Sequence, residues 1–158
     1  MPVQDKLSNA VVLLVTGILA GTFFYATFNV LPTFWEVSTE VHLGFRVALM
    51  RHNALNMQLL MIAGIVATVW YGWTIRQQAF PRIFAFLAIA LTIATLLITR
   101  LGNVPINLEV KTWLPTAPPV NWLAIMKTWD FYHSMRTATA IGSFLMVLIA
   151  SFSNKPSS

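Results

Sequence analysis

Residues 81–101 read PRIFAFLAIALTIATLLITRL, and no charged side chain lies between Arg82 and Arg100. The hydrocarbon core of a bilayer needs about 20 apolar residues in a helix, so this stretch is long enough to cross a membrane. Pro81 suits the first turn of such a helix, where the N–H that proline lacks would have no partner in any case. The stretch therefore predicts a transmembrane helix.

Three further runs have similar length and character, namely residues 8–31, 53–75 and 129–152. The link between the second and third spans, residues 76–80, is short enough to force an antiparallel pair. We therefore expect an all-α fold, an integral membrane four-helix antiparallel bundle with two long loops on one face. One transmembrane domain would cover residues 1–158.

The composition also indicates a membrane protein, because 57% of the residues are hydrophobic and 9% are charged, against roughly 25% charged in soluble domains. The net charge of +5 comes from side chains near the ends of apolar runs. They form no basic stripe, which argues against nucleic-acid binding. The absence of cysteine excludes disulfides and thiolate sites. The expected partners are the lipid bilayer and a hydrophobic small molecule, with a homo-oligomer or a larger membrane complex left open.

Four spans place both termini on the face of the short link. Both faces carry Lys and Arg, so the positive-inside rule does not settle the orientation, and the density of these residues favours cytoplasmic termini in a multi-pass cell membrane protein.

The two long loops are expected to be partly ordered. The first predicts an amphipathic helix over residues 37–51, capped by Ser38 or Thr39, because apolar residues recur at four-residue spacing. This helix would lie on the membrane or extend the second span. The second loop, residues 102–128, is expected to form a lid over the mouth of the bundle.

Polar side chains gather where the spans meet the long loops. Polar groups are costly in lipid, so they normally face the bundle interior and are candidates for function. The candidates are Tyr25 and Asn29 at the end of the first span, His52 and Asn56 at the start of the second, Asn103 and Asn107 after the third, Trp113 in the loop, and Trp129, Asp130, His133 and Arg136 at the start of the fourth.

Structural roles compete with functional ones for several of these residues. Thr92, Thr95 and Thr99 on the third span are better explained by bonds to the preceding turn or to a neighbouring helix. The asparagines are equally well explained as turn caps, and the tryptophans as interfacial belt residues. His42, in the first long loop, is expected to be exposed or interfacial.

The case for function is strongest for His133 and Arg136. They lie on the same wall of the predicted bundle as Trp129, on one face of the fourth helix, and the only nearby carboxylate is that of Asp130. An Asp130 to His133 pair would orient the imidazole and raise its basicity. A salt-bridged helix end is the alternative.

A metal or haem site is a weaker possibility. His52 and His133 lie at corresponding depth and would bridge two helices as haem or copper ligands. Two ligands without a nearby buried carboxylate make an incomplete shell for zinc or non-haem iron.

The chain resembles the anthrone-oxygenase-like family of small four-span membrane proteins. The resemblance covers nearly the whole chain and implies a four-helix membrane bundle. It rests on Ala20-Gly21 and the following Pro32, on residues 50–56, on Asn103-Val104-Pro105-Ile106-Asn107, and on Trp129, His133 and Arg136.

The resemblance also implies an activity, because some relatives oxidise a polyphenolic anthrone to the anthraquinone with molecular oxygen, without a metal or flavin. His133 would then be the base and Asp130 its orienting partner. The oxygen anions would be stabilised by Arg136, Asn103 and Asn107. The flat substrate would be bound by Trp113, Trp129, Tyr25, Asn29, His52 and Asn56.

Two other functions remain open: a non-enzymatic accessory or scaffold subunit of a membrane complex, and a haem- or copper-binding redox protein that uses His52 and His133. Arg136 distinguishes the enzyme from the scaffold. In an enzyme, Arg136→Lys would abolish turnover with the fold intact, because the bidentate geometry is lost.

Overall fold

The computed structural model describes residues 3–113 and 117–153, and these ranges contain helices and no strands. The helices are α1 (Val3–Tyr25), α2 (Leu31–Trp35), α3 (Thr39–Thr74), α4 (Ala79–Ile98), α5 (Val104–Val110) and α6 (Trp122–Ser153). The four stretches long and apolar enough to cross a membrane are Gln4–Trp35, Thr39–Thr74, Ala79–Val110 and Trp122–Ser153. The predicted all-α membrane bundle is confirmed.

The bundle is held together by apolar packing and by hydroxyl contacts between α4 and α6. Thr92 Oγ1 lies 2.6 Å from Ser143 Oγ, and Thr95 Oγ1 lies 2.8 Å from Thr139 Oγ1. Both threonines also bond to carbonyls of the preceding turn. The threonines of the third span therefore join helices, as the structural explanation predicts.

The sequence predicts that the first span ends at residue 31, but the helical stretch continues through Pro32 to Trp35. A π-helical turn over Ala26–Val30 leads into α2, which carries the proline near its start. The proline ring normally clashes with the carbonyl four residues back. The π turn changes the local hydrogen-bond register, so that the N–H of Leu31 donates to the carbonyl of Ala26.

The third span repeats this arrangement at Pro105. A π-helical turn over Thr99–Asn103 precedes α5, and the N–H of Val104 donates to the carbonyl of Thr99. The loop expected after Leu101 is thus mainly helical.

The predicted lid over residues 102–128 is partly helical, because α5 ends only at Val110 and α6 begins already at Trp122. Residues 114–116 of the predicted lid lie outside the described residues. The physical reason for the extra helix is a second apolar core, formed by Leu43, Val47, Met50, Val110, Trp113 and Met126.

The amphipathic helix predicted over residues 37–51 is the first part of α3. Ser38 caps it, with its Oγ accepting the N–H of Val41 at 3.4 Å. α3 has 36 residues, which corresponds to about 54 Å, more than the roughly 30 Å of a hydrocarbon core. The helices therefore project beyond the membrane core, and residues 23–50, 99–113 and 122–136 form what we call the loop-side half.

Candidate functional site

Trp129 is the centre of the polar contacts in the loop-side half. Its indole Nε1 donates to Asn107 Oδ1 at 2.7 Å, and its backbone carbonyl accepts from Asn103 Nδ2 at 3.0 Å. The His133 ring stacks on the indole, with centroids 5.1 Å apart and planes 13° from parallel. The two asparagines after α4 thus position the surface on which His133 lies.

The imidazole of His133 is bonded to Arg136, one turn further along α6. Arg136 Nη2 lies 2.7 Å and Nε lies 3.2 Å from His133 Nδ1. Arg136 Nη1 also donates to Thr99 Oγ1 at 3.5 Å, and its guanidinium lies 4.7 Å from the Phe23 ring centroid. The side chains of the pair are buried, with 2% of His133 and 9% of Arg136 exposed.

This contact assigns the imidazole tautomer. A guanidinium has donors and no acceptor, so His133 Nδ1 must accept and the ring must be neutral, with its proton on Nε2. His133 thus presents an N–H donor in the free protein, and the nitrogen that would accept a proton is occupied by Arg136.

Among the described residues, Asn103 Oδ1 is a buried acceptor without a hydrogen-bond partner next to this arrangement, and His133 Nε2 is a buried donor whose one neighbouring partner is the backbone of Phe23, at poor geometry. A buried polar group without a partner costs about 1–3 kcal/mol, and such groups call for an explanation, such as a catalytic role or a bound water or ion. A ligand that carries a carbonyl oxygen and a hydroxyl group could therefore accept from the His133 donor and donate to the Asn103 acceptor.

Arg46 of α3 is part of the same cluster, although its position in the sequence predicts no role for it. Its guanidinium is 4.4 Å from the Trp129 ring centroid and 4.9 Å from that of Phe34. Arg46 Nη2 donates to Asp130 Oδ1 at 3.3 Å, and Asp130 Oδ2 accepts from Trp35 Nε1 at 3.0 Å.

Asp130 therefore does not form the pair with His133 that the sequence analysis expects. Its carboxylate bonds to Arg46 and Trp35, whereas the imidazole of His133 bonds to Arg136. Side chains three positions apart on a helix differ by about 60° in direction, which here directs them to different neighbouring helices.

His42, for which the sequence predicts an exposed or interfacial position, is instead buried inside the bundle, with 1% of it exposed. Its ring stacks on Phe34 with centroids 5.2 Å apart, and its edge meets Trp35 and Trp122. The i, i+4 spacing of His42 and Arg46 was the available signal, since both lie on the buried face of α3.

The buried charges do not balance. The guanidiniums of Arg46 and Arg136 are both buried, and among the described residues Asp130 is the one carboxylate in a salt bridge with either. Uncompensated buried charge is costly. An anionic ligand oxygen near Arg136 would offset it.

Tyr25 and Asn29 lie on the outside of the bundle and do not contact His133. Both are exposed and line an open groove of about 340 Å³ between the first helical stretch and the start of α3. The other residues that line it are Val30, Thr33, Phe34, Val37, Val41 and Phe45. Phe34 is shared between this groove and the contacts of His42 and Arg46.

His52 and Asn56 are exposed on α3, and Trp113 is buried in the apolar core near Trp129. Because His52 is exposed while His133 is buried and bonded to Arg136, the structure does not bring the two histidines together as haem or copper ligands. Within residues 3–113 and 117–153, no cluster of three or more His, Asp or Glu side chains is suited to a metal ion.

A family model described as anthrone oxygenase matches residues 45–146, which is more than half of the chain. This region includes Arg46, Asn103, Trp129, His133 and Arg136. No curated protein and no solved structure shows significant similarity to the chain.

Proposed function

The chain belongs to the anthrone oxygenase family, and we propose that it is a membrane-embedded, cofactor-independent oxygenase of a phenolic or anthrone-like hydrophobic substrate. The observation that carries this proposal is the buried His133 and Arg136 pair beside the unpartnered acceptor Asn103 Oδ1. The membrane location supports a hydrophobic substrate, because such a molecule partitions into lipid.

The proposed reaction converts a methylene flanked by aromatic rings into a ketone. A base removes one proton, and the electron-rich enolate transfers an electron to O₂. The two radicals combine into a C–O bond, and protonation gives a hydroperoxide. Loss of water from this hydroperoxide breaks the second C–H bond and the O–O bond. One oxygen atom remains in the ketone and the other leaves in water, so one O₂ is consumed per substrate.

Arg136 is proposed to bind the enolate oxygen. Preorganised donors of this kind are worth about 3 kcal/mol each in a water-excluded site. Asn103 Oδ1 would accept a phenolic O–H of the substrate.

The role of His133 as base then depends on Arg136. In the free protein, Nδ1 accepts from the guanidinium and cannot also take a proton. A substrate oxygen that draws the guanidinium to itself would release Nδ1, which could then accept the methylene proton. Substrate binding and activation of the base would thus be a single event.

The test is the oxidation of emodin anthrone by the detergent-purified protein, with the spontaneous oxidation in detergent buffer subtracted. We expect faster formation of the anthraquinone, with one O₂ consumed per anthrone, by a preparation that lacks a Soret band and stoichiometric metal. A rate equal to the buffer background would overturn the proposal. Activity that tracks a haem or metal content would replace it with a redox-cofactor mechanism.

The proposal includes both termini in the cytoplasm, which the Lys and Arg density supports. A reporter fused to the C-terminus tests this. We expect fluorescence from a reporter that folds only in the cytoplasm. Activity of a reporter that requires export would show that the C-terminus lies on the opposite side of the membrane.

A further inference from the structure

Arg46 makes fewer hydrogen bonds than its burial requires. Its side chain is 3% exposed, and a guanidinium carries five N–H donors. Nη2 donates to Asp130 Oδ1, whereas Nε and Nη1 have no hydrogen-bond partner within residues 3–113 and 117–153. A buried donor without a partner is costly, and more so when it carries a charge. These N–H groups are therefore available to the acceptor atoms of a ligand.

The neighbours of Arg46 do not supply the missing acceptors. One oxygen of Asp130 contacts a single guanidinium nitrogen at 3.3 Å, and the other oxygen accepts from Trp35 Nε1. The rings of Phe34 and Trp129 lie against the guanidinium. A ring face attracts a cation, but it offers no oxygen to an N–H donor. The surroundings of Arg46 are thus aromatic on two sides and lack acceptors.

Arg46 lies close enough to Arg136 for one ligand to contact both. The two guanidinium carbons lie 4.4 Å and 5.3 Å from the centroid of the same ring, that of Trp129. Their separation therefore cannot exceed the sum of these distances, which is comparable with the length of a fused three-ring molecule. The unpartnered Asn103 Oδ1 belongs to the same surroundings, because Asn103 Nδ2 donates to the backbone carbonyl of Trp129.

The charges of this cluster require a group that is anionic before any reaction begins. Arg46 and Arg136 carry two positive charges, and Asp130 is the one carboxylate among the described residues in a salt bridge with either. Transfer of a substrate proton to His133 moves charge within the cluster and leaves the excess of one positive charge unchanged. A phenol with a pKa of about 10 is neutral when it binds, whereas a carboxyl group with a pKa of about 4 is already ionised.

We propose that Arg46 binds a carboxylate of the aromatic ligand, at a position remote from the oxygen that Arg136 binds. The planar N–H groups of a guanidinium match the two oxygens of a carboxylate, and the rings of Phe34 and Trp129 match an aromatic body. The aromatic nature of the ligand rests on the proposed function. The binding of a carboxylate by Arg46 does not depend on oxygen chemistry.

The test compares two anthraquinones that differ in one substituent: rhein carries a carboxylate where chrysophanol carries a methyl group. Each is titrated into the detergent-purified protein, and binding is followed by tryptophan fluorescence quenching. The dissociation constant of each ligand for a variant is divided by that of the same ligand for wild type, so that partition of the ligand into detergent cancels. Wild type is expected to bind both ligands.

Three variants isolate the contribution of the guanidinium. The double variant Arg46→Met and Asp130→Asn removes both charges of the pair, and we expect it to bind rhein about tenfold or more weakly and chrysophanol within about threefold of wild type. Asp130→Asn alone removes the competing carboxylate and should bind rhein at least as tightly as wild type. Arg100→Met, at an exposed position, is the matched control and should bind both ligands like wild type.

The outcomes separate this proposal from the proposed function. Equal binding of rhein by wild type and the double variant would overturn the carboxylate site, as would absence of rhein binding by wild type. Weaker binding of both ligands to the same extent would also overturn it, because Arg46 would then support only the fold of the site. If rhein binding depends on Arg46 but no oxygen is consumed with emodin anthrone, the oxygenase proposal fails and the carboxylate site stands.

Discussion

At the scale of single residues, the contact of Arg136 with His133 determines what the imidazole can do. Nδ1, the nitrogen that could accept a proton, is occupied by the guanidinium donor, and Nε2 carries the proton. The sequence places these residues one turn apart on a helix and so predicts their proximity. The sequence could not predict that Arg136, and not Asp130, would be the hydrogen-bond partner of His133 Nδ1. That outcome depends on the contact of Asp130 with Arg46 of α3.

Substitution of His133 by glutamine should separate binding from turnover. Glutamine keeps an N–H donor near the position of Nε2 and lacks a basic nitrogen. We expect His133→Gln to bind emodin within about threefold of wild type and to lose turnover by about 10²-fold or more, the contribution typical of a general base. Turnover of His133→Gln close to wild type would show that the imidazole acts only as a donor.

Substitution of Arg136 by lysine tests the bidentate contact. A lysine ammonium is a compact charge that cannot reproduce the planar arrangement of Nε and Nη2 around His133 Nδ1. We expect Arg136→Lys to lower turnover by roughly 100-fold, with the helical circular dichroism unchanged. Arg100→Lys, at an exposed position, is the matched control and should retain activity. Equal activities of the two variants would contradict a role for Arg136.

The Arg46 and Asp130 pair should matter for stability. Removal of one partner from a buried ion pair typically costs about 3–5 kcal/mol, because the remaining charge is unpaired, and the side chain of Asp130 is 22% exposed, which should reduce that cost. We expect Asp130→Asn to lower the free energy of unfolding by about 2 kcal/mol, measured by detergent-induced unfolding. The double variant Arg46→Met and Asp130→Asn should recover part of the loss. A purely additive double variant would show that the pair is not coupled.

At the scale of elements, the two π-helical turns shape the loop-side half. The sequence predicts the four spans well, because long apolar runs without charge have few alternatives in a membrane protein. It predicts that the first span ends at residue 31 and the third at residue 101, whereas both helical stretches continue, through Pro32 and through Pro105. A π turn leaves no periodic signal in five residues, so the continuation of these helices could not be predicted from the pattern of residues.

The close contact of the second π turn with α6 gives a prediction for Gly102. A Cβ atom at this position would lie 2.5 Å from the ring of Tyr132, and the next residue, Asn103, holds the carbonyl of Trp129. We expect Gly102→Ala to lower the free energy of unfolding by about 1–3 kcal/mol through overpacking and to reduce turnover.

Gly44→Ala provides the matched control, because a Cβ at Gly44 has no atom within 4 Å. This variant should be neutral or more stable by up to about 1 kcal/mol, the difference in helix propensity. Comparable losses of stability in both variants would remove the argument for close packing at Gly102.

At the scale of the whole molecule, the start of α3 turns its polar side towards the inside of the bundle and its apolar side outwards. The sequence pattern suggests the opposite orientation. The residues Val41 and Phe45 repeat at four-residue spacing, yet they are 54% and 56% exposed, while His42 and Arg46 are 1% and 2% exposed. In a soluble protein the apolar stripe would face the core. In a bilayer or at its interface, apolar side chains are also stable on the outer surface of the bundle, where they contact lipid. An apolar stripe on a helix therefore does not show whether that stripe faces the protein interior or the lipid.

The orientation of α3 also decides which residues of the site can be predicted from the sequence. Asn103, Asn107, Trp129, His133 and Arg136 follow from their positions at the ends of two spans that pack together. The contribution of Arg46 does not, because it depends on the inward face of a segment that extends beyond the predicted span. The exposed positions of Tyr25, Asn29, His52 and Asn56 also do not follow from the sequence, because they depend on which face each helix turns towards its neighbours.

The central claim is that His133 takes part in oxygen chemistry on an aromatic substrate. Its most direct test is the initial rate of oxygen consumption with emodin anthrone, corrected for the spontaneous reaction, for wild type, His133→Ala and the neighbouring Ser134→Ala. Ser134 is exposed, so its variant controls for a substitution in the same turn of α6. We predict that His133→Ala falls to the spontaneous rate while Ser134→Ala remains close to wild type. Oxygen consumption by His133→Ala equal to that of wild type would contradict the claim.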